Sequence, residues 1–350
     1  MDNWNDYFAS QGAPLRADDT APPAHVGQVL TAEELAGGFV AVVGALGLIA
    51  VKGADAASFL HKQLTSDVDH LAIGQARLAG YCSPKGRLQA TFLLWRDAES
   101  VFLQLPRELQ AALHKRLAMF VMRDKATLSD ASTGLVLLGL GGAAAQAALG
   151  QHVDALPAAP YTTMTTPLGT LIRLADAFGA PRYQWLLSAD NAAAVMPALQ
   201  GALALGADQA WELTAIHAGV PQVTLKTQDQ FVPQMINFEL LGGVNFKKGC
   251  YPGQEIVARS QYLGKLKRRT ALVTIDDATA QAGDEVFAVS DPGQPCGMVV
   301  NAALNGTGGV DALVEMKLAA LAEGDIRLGS AAGAALAFQP MPYPLDALDL

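Results

Sequence analysis

Cysteine is scarce in this chain: its 350 residues hold three, Cys82, Cys250 and Cys296. They are far apart, odd in number and form no Cys-x-x-Cys pair. That argues against a disulfide scaffold and against a self-contained zinc or iron–sulfur centre. Charge is sparse as well, at 16% of residues, and its balance is acidic, 24 basic against 33 acidic side chains. A chain so acidic does not coat nucleic acid with its whole surface, so an anionic partner must be met by a local basic patch. No basic run is interleaved with aromatics in the manner of an RNA-reading module. Long apolar runs are missing: GGFVAVVGALGLIAV is too short and too broken by glycine to span a bilayer. The opening MDNWNDYFASQGAPLRADDTAPPAH is polar and acidic, without a signal-peptide core. These absences lead to the expectation of a soluble, cytoplasmic protein whose residues 1–27 form a flexible arm.

What is present is apolar material, 51% of the chain, enough for two or three cored domains. FVAVV and LGLIAV read as strands, and GADAASFLHKQL as a helix start with Asp55 as its cap. QARLAGYCS and GRLQATFLLW flank PKG, a hairpin signal. From Arg107 a helix carries Leu109, Leu113 and Leu117 at i, i+4 spacing, so one face packs inward. KATLSD, GLVLLGL, GTLIRL and YQWLLS read as strands, GGAAAQAAL as a short helix, and an alanine-rich helix runs from Asn191. ADQAWELTAIHAG is a further helix. Beyond Arg269, short strands divided by Gly, Pro and Asp point to a small antiparallel barrel. The fold class is α+β, with mixed sheets first and a barrel last.

The stretch FKKGCYPGQEIVAR, Phe246 to Arg259, places a thiol among lysines and turn residues. Gly249 and Gly253 free the backbone on both sides of Cys250. Pro252 suits the first position of a helix that QEIVARSQY continues, which sets Cys250 beside a helix N-terminus. The helix end, with Lys247 and Lys248, favours the thiolate, the reactive form. The alternative is a packing cysteine in a tight turn. That alternative is preferred for Cys82 and Cys296, which sit inside strand patterns.

KKGCYPGQE resembles the signature of the YgfZ-type folate-binding family, as do GADAASFLHKQLTSDVDHLAIGQ, YCSPKGR, the run AGVPQVTLKTQDQFVPQMINFELLGGVNFKKGCYPGQEIVARSQYLGKLKRR, and PMPYPL near the end. The family is tied to iron–sulfur cluster assembly and repair, and in bacteria to tRNA thiolation. It is related to the aminomethyltransferase of the glycine cleavage system. The resemblance implies two α+β subdomains around a central folate-binding channel plus a C-terminal antiparallel β-barrel, arranged as a cloverleaf. The corresponding domains are a folate-binding region at 28–265, whose second part from near residue 206 carries the signature, and a barrel at 266–350. It implies tetrahydrofolate or a derivative as cofactor and Cys250 as the reactive residue. The expected folate-binding residues are Trp211, His217, Lys248, Tyr251, Gln254, Glu255, Arg259 and Asn237, with no metal site. The expected partners are iron–sulfur proteins or assembly factors and tRNA, without a membrane.

The chain also departs from its relatives. Aminomethyltransferases carry a pair of carboxylates after the early hairpin, where this chain has Ala90 and Thr91. Neither a methyl group nor a hydroxyl replaces a proton-handling acid, unless Asp97 or another acid reaches the site. His217 stands in IHAG where relatives carry an acidic residue, and Leu46 where some carry a second tryptophan. Asp229 lies on the loop before the signature as a further channel candidate. The cluster GKLKRR, Gly264 to Arg269, and the hairpin tip with Lys85 and Arg87 are the places where a polyglutamate tail or RNA phosphate would be held. Glu255 is spaced to pair with Arg259 at i+4. Folate-dependent aminomethyl transfer and a tRNA-associated scaffold are the competing functions.

Overall fold

The computed structural model describes residues 26–264 and 266–345. Nearly all of the expected arm, and Lys265 of the basic cluster, lie outside the described residues. In chain order the elements are α1 (Ala32–Gly37), β1 (Phe39–Val42), β2 (Leu46–Lys52), α2 (Ala56–Gln63), β3 (Ala76–Cys82), β4 (Leu88–Arg96), β5 (Ser100–Pro106), α3 (Arg107–Ala118) and β6 (Thr127–Asp130). There follow β7 (Leu135–Gly141), α4 (Ala145–Leu149), β8 (Thr162–Thr166), β9 (Gly169–Ala177), β10 (Ala180–Ser188), α5 (Ala189–Ala202), β11 (Ala204–Gly206) and α6 (Asp208–His217). A 3-10 turn (Pro233–Ile236) and α7 (Gln254–Tyr262) lead to β12 (Arg268–Ile275), β13 (Glu285–Ala288), β14 (Gly297–Leu304), β15 (Val310–Lys317), α8 (Leu318–Glu323), β16 (Ile326–Leu328) and β17 (Leu336–Gln339).

Three sheets result, ordered β3-β4-β5-β2-β6, β11-β1-β7-β10-β9-β8 and β16-β13-β14-β15-β12-β17. The first two are laced together by the chain itself. β1 and β2 are separated by three residues yet lie in different sheets, and the chain crosses back between β6 and β7. Side-chain alternation then decides what each strand faces. In β4, Leu93 and Trp95 join a central core while Phe92 and Leu94 pack under α2 and α3. In β10, Leu186 faces the centre while Tyr183, Trp185 and Leu187 pack under α4 and α5. Helices therefore cover the outer faces, and the inner faces meet each other, α6 and the third sheet. The third sheet is antiparallel throughout, and its edge strands come together at one bridge, Arg327 to Ala335.

Local signals explain most boundaries. Thr31 and Glu34 form a reciprocal capping box at α1. Ser188 caps α5 by accepting from Asn191 N, so that helix starts two residues before Asn191. Asp55 precedes α2 as expected but does not cap it with its side chain; Oδ2 accepts instead from Lys125 N at 2.7 Å. Pro252 is not the first residue of α7: the helix opens at Gln254, after Gly253 in the left-handed conformation.

Candidate functional site

The loop that carries the thiol docks on a hairpin far from it in sequence. Gly253 has φ +80°, and a Cβ there would stand 2.4 Å from Ser83 O and 2.7 Å from Gly86 Cα. The signature loop thus lies against the tip of the β3–β4 hairpin at a distance only glycine allows. Tyr251 is buried beneath the loop, where burial and nearby Cys82 push its phenol up. Lys248 reaches inward: Nζ donates to Leu64 O at 2.7 Å and to His61 O, and stands 4.9 Å from the centre of the Tyr251 ring. Burial draws its pKa down to about 8, against the pull of Asp67, Asp69 and Cys250. Cys250 itself is exposed. It sits three residues ahead of the α7 cap, and Lys248, two residues before it, directs its N–H groups to carbonyls.

Of the other expected folate residues, Asn237 and His217 lie apart from this loop, while Gln254, Glu255 and Arg259 continue it as α7. Asn237 is buried with φ +57° and donates through Nδ2 to Thr270 O at 2.9 Å, an anchor for β12. His217 Nε2 lies 2.6 Å from Asp311 Oδ2, and its ring is 4.2 Å from Phe178, which ties α6 to β15. Burial opposes ionisation of Asp311, yet hydrogen bonds from His217, Thr274 and Asn305 hold it below the usual carboxylate range. Gln254 opens α7; Glu255 and Arg259 lie on the same helix, and no ion pair joins them among the described residues. Asp229, with φ +62°, accepts from Ser83 Oγ at 2.9 Å and so belongs to the hairpin contact.

The two arginines that end the basic cluster turn to internal partners. Arg269 is 1% exposed and pairs with Glu239 and Gln234 O, and Arg268 pairs with Glu315 and Cys296 O. Arg87 donates to Gln230 O. Among the described members, Lys267, Lys85 and Arg87 keep exposed positions. The run reads as a phosphate clamp in one dimension and serves in three as the seam between the third sheet and the rest.

Trp211 leads to a different place. It packs on β7 where Gly139 leaves room, since a Cβ there would stand 2.3 Å from the ring, and the Arg182 guanidinium lies 4.4 Å from its centre. Around it, between the inner faces of the two sheets, is a narrow cavity of about 50 Å³ lined also by Leu46, Thr91, Gln104, Tyr161 and Gln184. It adjoins a cleft of about 570 Å³ that shares Ala215, Val220 and Gln222 and adds Arg107, Glu108 and Glu212. None of Cys250, Lys248, His217, Asn237 or the α7 residues lines either space. The expected single site is two places: an exposed thiol loop and an interior cavity.

The missing carboxylates have a structural counterpart. Ala90 faces the helix-covered side of β4; Thr91 faces the cavity, with Oγ1 accepting from Val223 N at 3.0 Å. Asp97 does not reach the cavity. It closes the β4–β5 turn by accepting from Glu99 N and Ser100 N, beside a separate cleft. The acids that line the adjoining cleft are the exposed Glu108, whose Oε1 accepts from Leu225 N at 2.7 Å, and Glu212, pushed up to about 7 by burial and by Asp208 and Glu108.

Sequence reasoning missed Arg182, Gln184, Gln104 and Glu212. A signal was available for the first two. In APRYQWLLS, polar residues at i and i+2 read as the solvent face of an edge strand, but β10 is flanked by β7 and β9 and its outer face is already apolar, so they must point inward.

Residues 39–171 match the family described as the GCVT N-terminal domain. The tRNA-modifying protein YgfZ of Edwardsiella ictaluri is 31% identical over 303 residues, covering 85% of this chain and 90% of that protein. That of Klebsiella pneumoniae is 32% identical over 308 residues, covering 85% and 91%. A solved structure, the glycine cleavage system aminomethyltransferase T of Bartonella henselae, superposes with a TM-score of 0.76 over 97% of this chain and 96% of its own, at 18% identity. That likeness is one of fold.

Proposed function

The chain belongs to the YgfZ family of tRNA-modifying proteins, and from that membership we propose a specific role. It binds tetrahydrofolate or a derivative between its two main sheets, and it serves tRNA modification and iron–sulfur cluster assembly or repair through Cys250 in the cytoplasm. The observation that carries this reading is the cavity beside Trp211, apolar but for a few polar side chains such as Gln104, Arg182 and Gln184, with its adjoining 570 Å³ cleft. The cleft's volume is ordinary for a small-molecule site. Glu108 and Glu212 supply acceptors for the amine edge of a pterin, and Arg107 a positive charge.

Cys250 is open to a partner, on a loop that Gly253 and Lys248 hold in place. Its thiolate is the part suited to nucleophilic, redox or transient ligand chemistry. Among the described residues no three His, Cys, Asp or Glu side chains converge on a metal position. A cluster passing through Cys250 therefore needs its other ligands from a partner.

Aminomethyl transfer is the second reading, and Glu212 is the observation that favours it. An acid with a pKa about 7 beside the cleft is suited to move a proton. Against it stand Ala90 and Thr91 where the carboxylates of the relatives are expected.

Equilibrium dialysis with tetrahydrofolate, paired with tRNA-thiolation assays in cells lacking the protein, tests the proposal. Wild type and Cys250→Ala should bind folate alike, and only wild type should restore thiolation. No binding by wild type would refute the cavity reading. Full restoration by Cys250→Ala would refute the role of the thiol. Turnover of an aminomethyl donor, abolished by Glu212→Gln, would establish the second reading.

A further inference from the structure

The second half of α3 and the loop to β6 form a surface that neither the cavity nor the thiol loop uses. Between Leu113 and Lys125 the chain places Lys115, Arg116, Arg123 and Lys125 against one carboxylate, Asp124. All four cations are exposed. Asp124 is taken by Lys62 of α2 at 3.0 Å, which brings a fifth cation to the surface. Arg116 Nε donates to Tyr81 Oη at 3.2 Å. No ion pair joins Lys115, Arg123 or Lys125 to a carboxylate among the described residues. This local excess of positive charge stands on a chain whose net charge is -9, so it is not a property of the surface at large. Apolar side chains share the patch. Leu113 and Leu117 are buried, and Val121 packs partly against the same core. Met119, Phe120 and Met122 are instead 65%, 45% and 86% exposed. Large apolar groups rimmed by charge mark an interaction surface, because folding alone leaves them in water.

α2 connects this patch to the thiol. Its last turn holds Asp124 through Lys62, and the carbonyl of the preceding residue, His61, accepts from Lys248 Nζ, two residues before Cys250. The acids beside that route, Asp67 and Asp69, are turned to His61 Nδ1 at 3.1 and 3.4 Å. Past the thiol, α7 exposes Arg259 and Tyr262, with Glu255 as its exposed acid.

We infer that this patch docks tRNA, an inference that rests on the tRNA-modification reading above. Phosphates lie against Lys115, Arg123 and Lys125, and Met119, Phe120 and Met122 meet the ribose and base faces between them. The five cations come from two helices and a loop, a spread that suits successive phosphates of a strand rather than one anionic group. The link through α2 favours tRNA over an unrelated acidic surface, since the proposed chemistry is done on the loop that α2 holds. Contacts of this kind hold the backbone and position the RNA without reading its sequence. Each one adds about 0.7–0.9 to the slope of log affinity against log salt.

The test is binding of labelled tRNA to the full chain, followed by anisotropy from about 50 to 200 mM salt. Lys115→Glu with Arg123→Glu should weaken binding roughly tenfold or more and lower the salt slope by about 2. Both positions are exposed, and an unchanged melting temperature checks that the fold is kept. Lys226→Glu with Arg327→Glu alters the net charge equally beside the third sheet and should do neither. Unchanged binding by the first variant, or equal loss by both, overturns the inference. So does displacement of the tRNA by polyglutamate of equal charge, which assigns the patch to an acidic protein. Tighter binding to phosphatidylserine vesicles than to tRNA, lost in the first variant, assigns it to a membrane and overturns the inference likewise. No tRNA binding by wild type overturns it too. The tRNA reading then stands or falls separately, on whether wild type restores thiolation in cells.

Discussion

Replacing Glu212 with glutamine should make the protein more stable at pH 8 and leave it unchanged at pH 4. In the folded chain this carboxyl is pushed up to about 7 by burial, with Asp208 and Glu108 adding repulsion, against an ordinary value of 4.5. Between those values the native state holds a proton that the unfolded chain has released. Stability from this group is therefore complete below pH 4.5 and is lost as pH rises through 7. The full shift corresponds to at most about 3 kcal/mol, and partial access to solvent through the cleft reduces it to about 1–3 kcal/mol. The glutamine side chain fills the same volume with no charge to desolvate. Urea unfolding of wild type and Glu212→Gln at pH 4, 6 and 8, without ligand, reads the effect directly, because the other titrating groups cancel in the difference. The variant's advantage should be near zero at pH 4 and grow to its full size by pH 8. An advantage that is the same at all three values, or absent at pH 8, would show that Glu212 is solvated and would remove it as an internal acid.

Two further substitutions probe the frame around the site. Gly253→Ala forces a β-carbon against Ser83 O and Gly86 and holds alanine at φ +80°; it should cost about 2–4 kcal/mol in urea unfolding and loosen the Cys250 loop to proteolysis, while Gly242→Ala, at φ +74° in open space, should cost only about 1–2 kcal/mol. Arg269→Met removes the buried cation that Glu239 pairs with and should cost about 3–5 kcal/mol, whereas the double change Arg269→Met with Glu239→Leu should recover most of it in a thermal-melting cycle.

Much of the secondary structure was legible because it rests on local chemistry. The PKG hairpin, the leucine face of α3 and the short strands of the third sheet follow from turn residues and periodicity. The α1 capping box, TAEE, is a sequence signal of the same kind, though it stands outside the helices expected above. β8, β11 and β16 were not legible, since Thr162–Thr166, Ala204–Gly206 and Ile326–Leu328 are short and become strands through their neighbours.

The amino-acid order alone determined family membership, the α+β character and the presence of an unusual cysteine loop, because these reside in contiguous motifs. Only tertiary structure decided which polar residues face inward. Arg268 and Arg269 look like a surface patch in the chain and become ion pairs at a sheet seam. Arg182 and Gln184 look like the wet face of a strand and become the donors of an interior cavity, because β10 is covered on both sides. Trp211, Gln184 and Gln104 come from three elements far apart in the chain and line one cavity because β1 and β2 cross into separate sheets. A side chain's residue type sets what it can bond. The packing of strands from far along the chain sets whether water or another part of the protein is there to bond with.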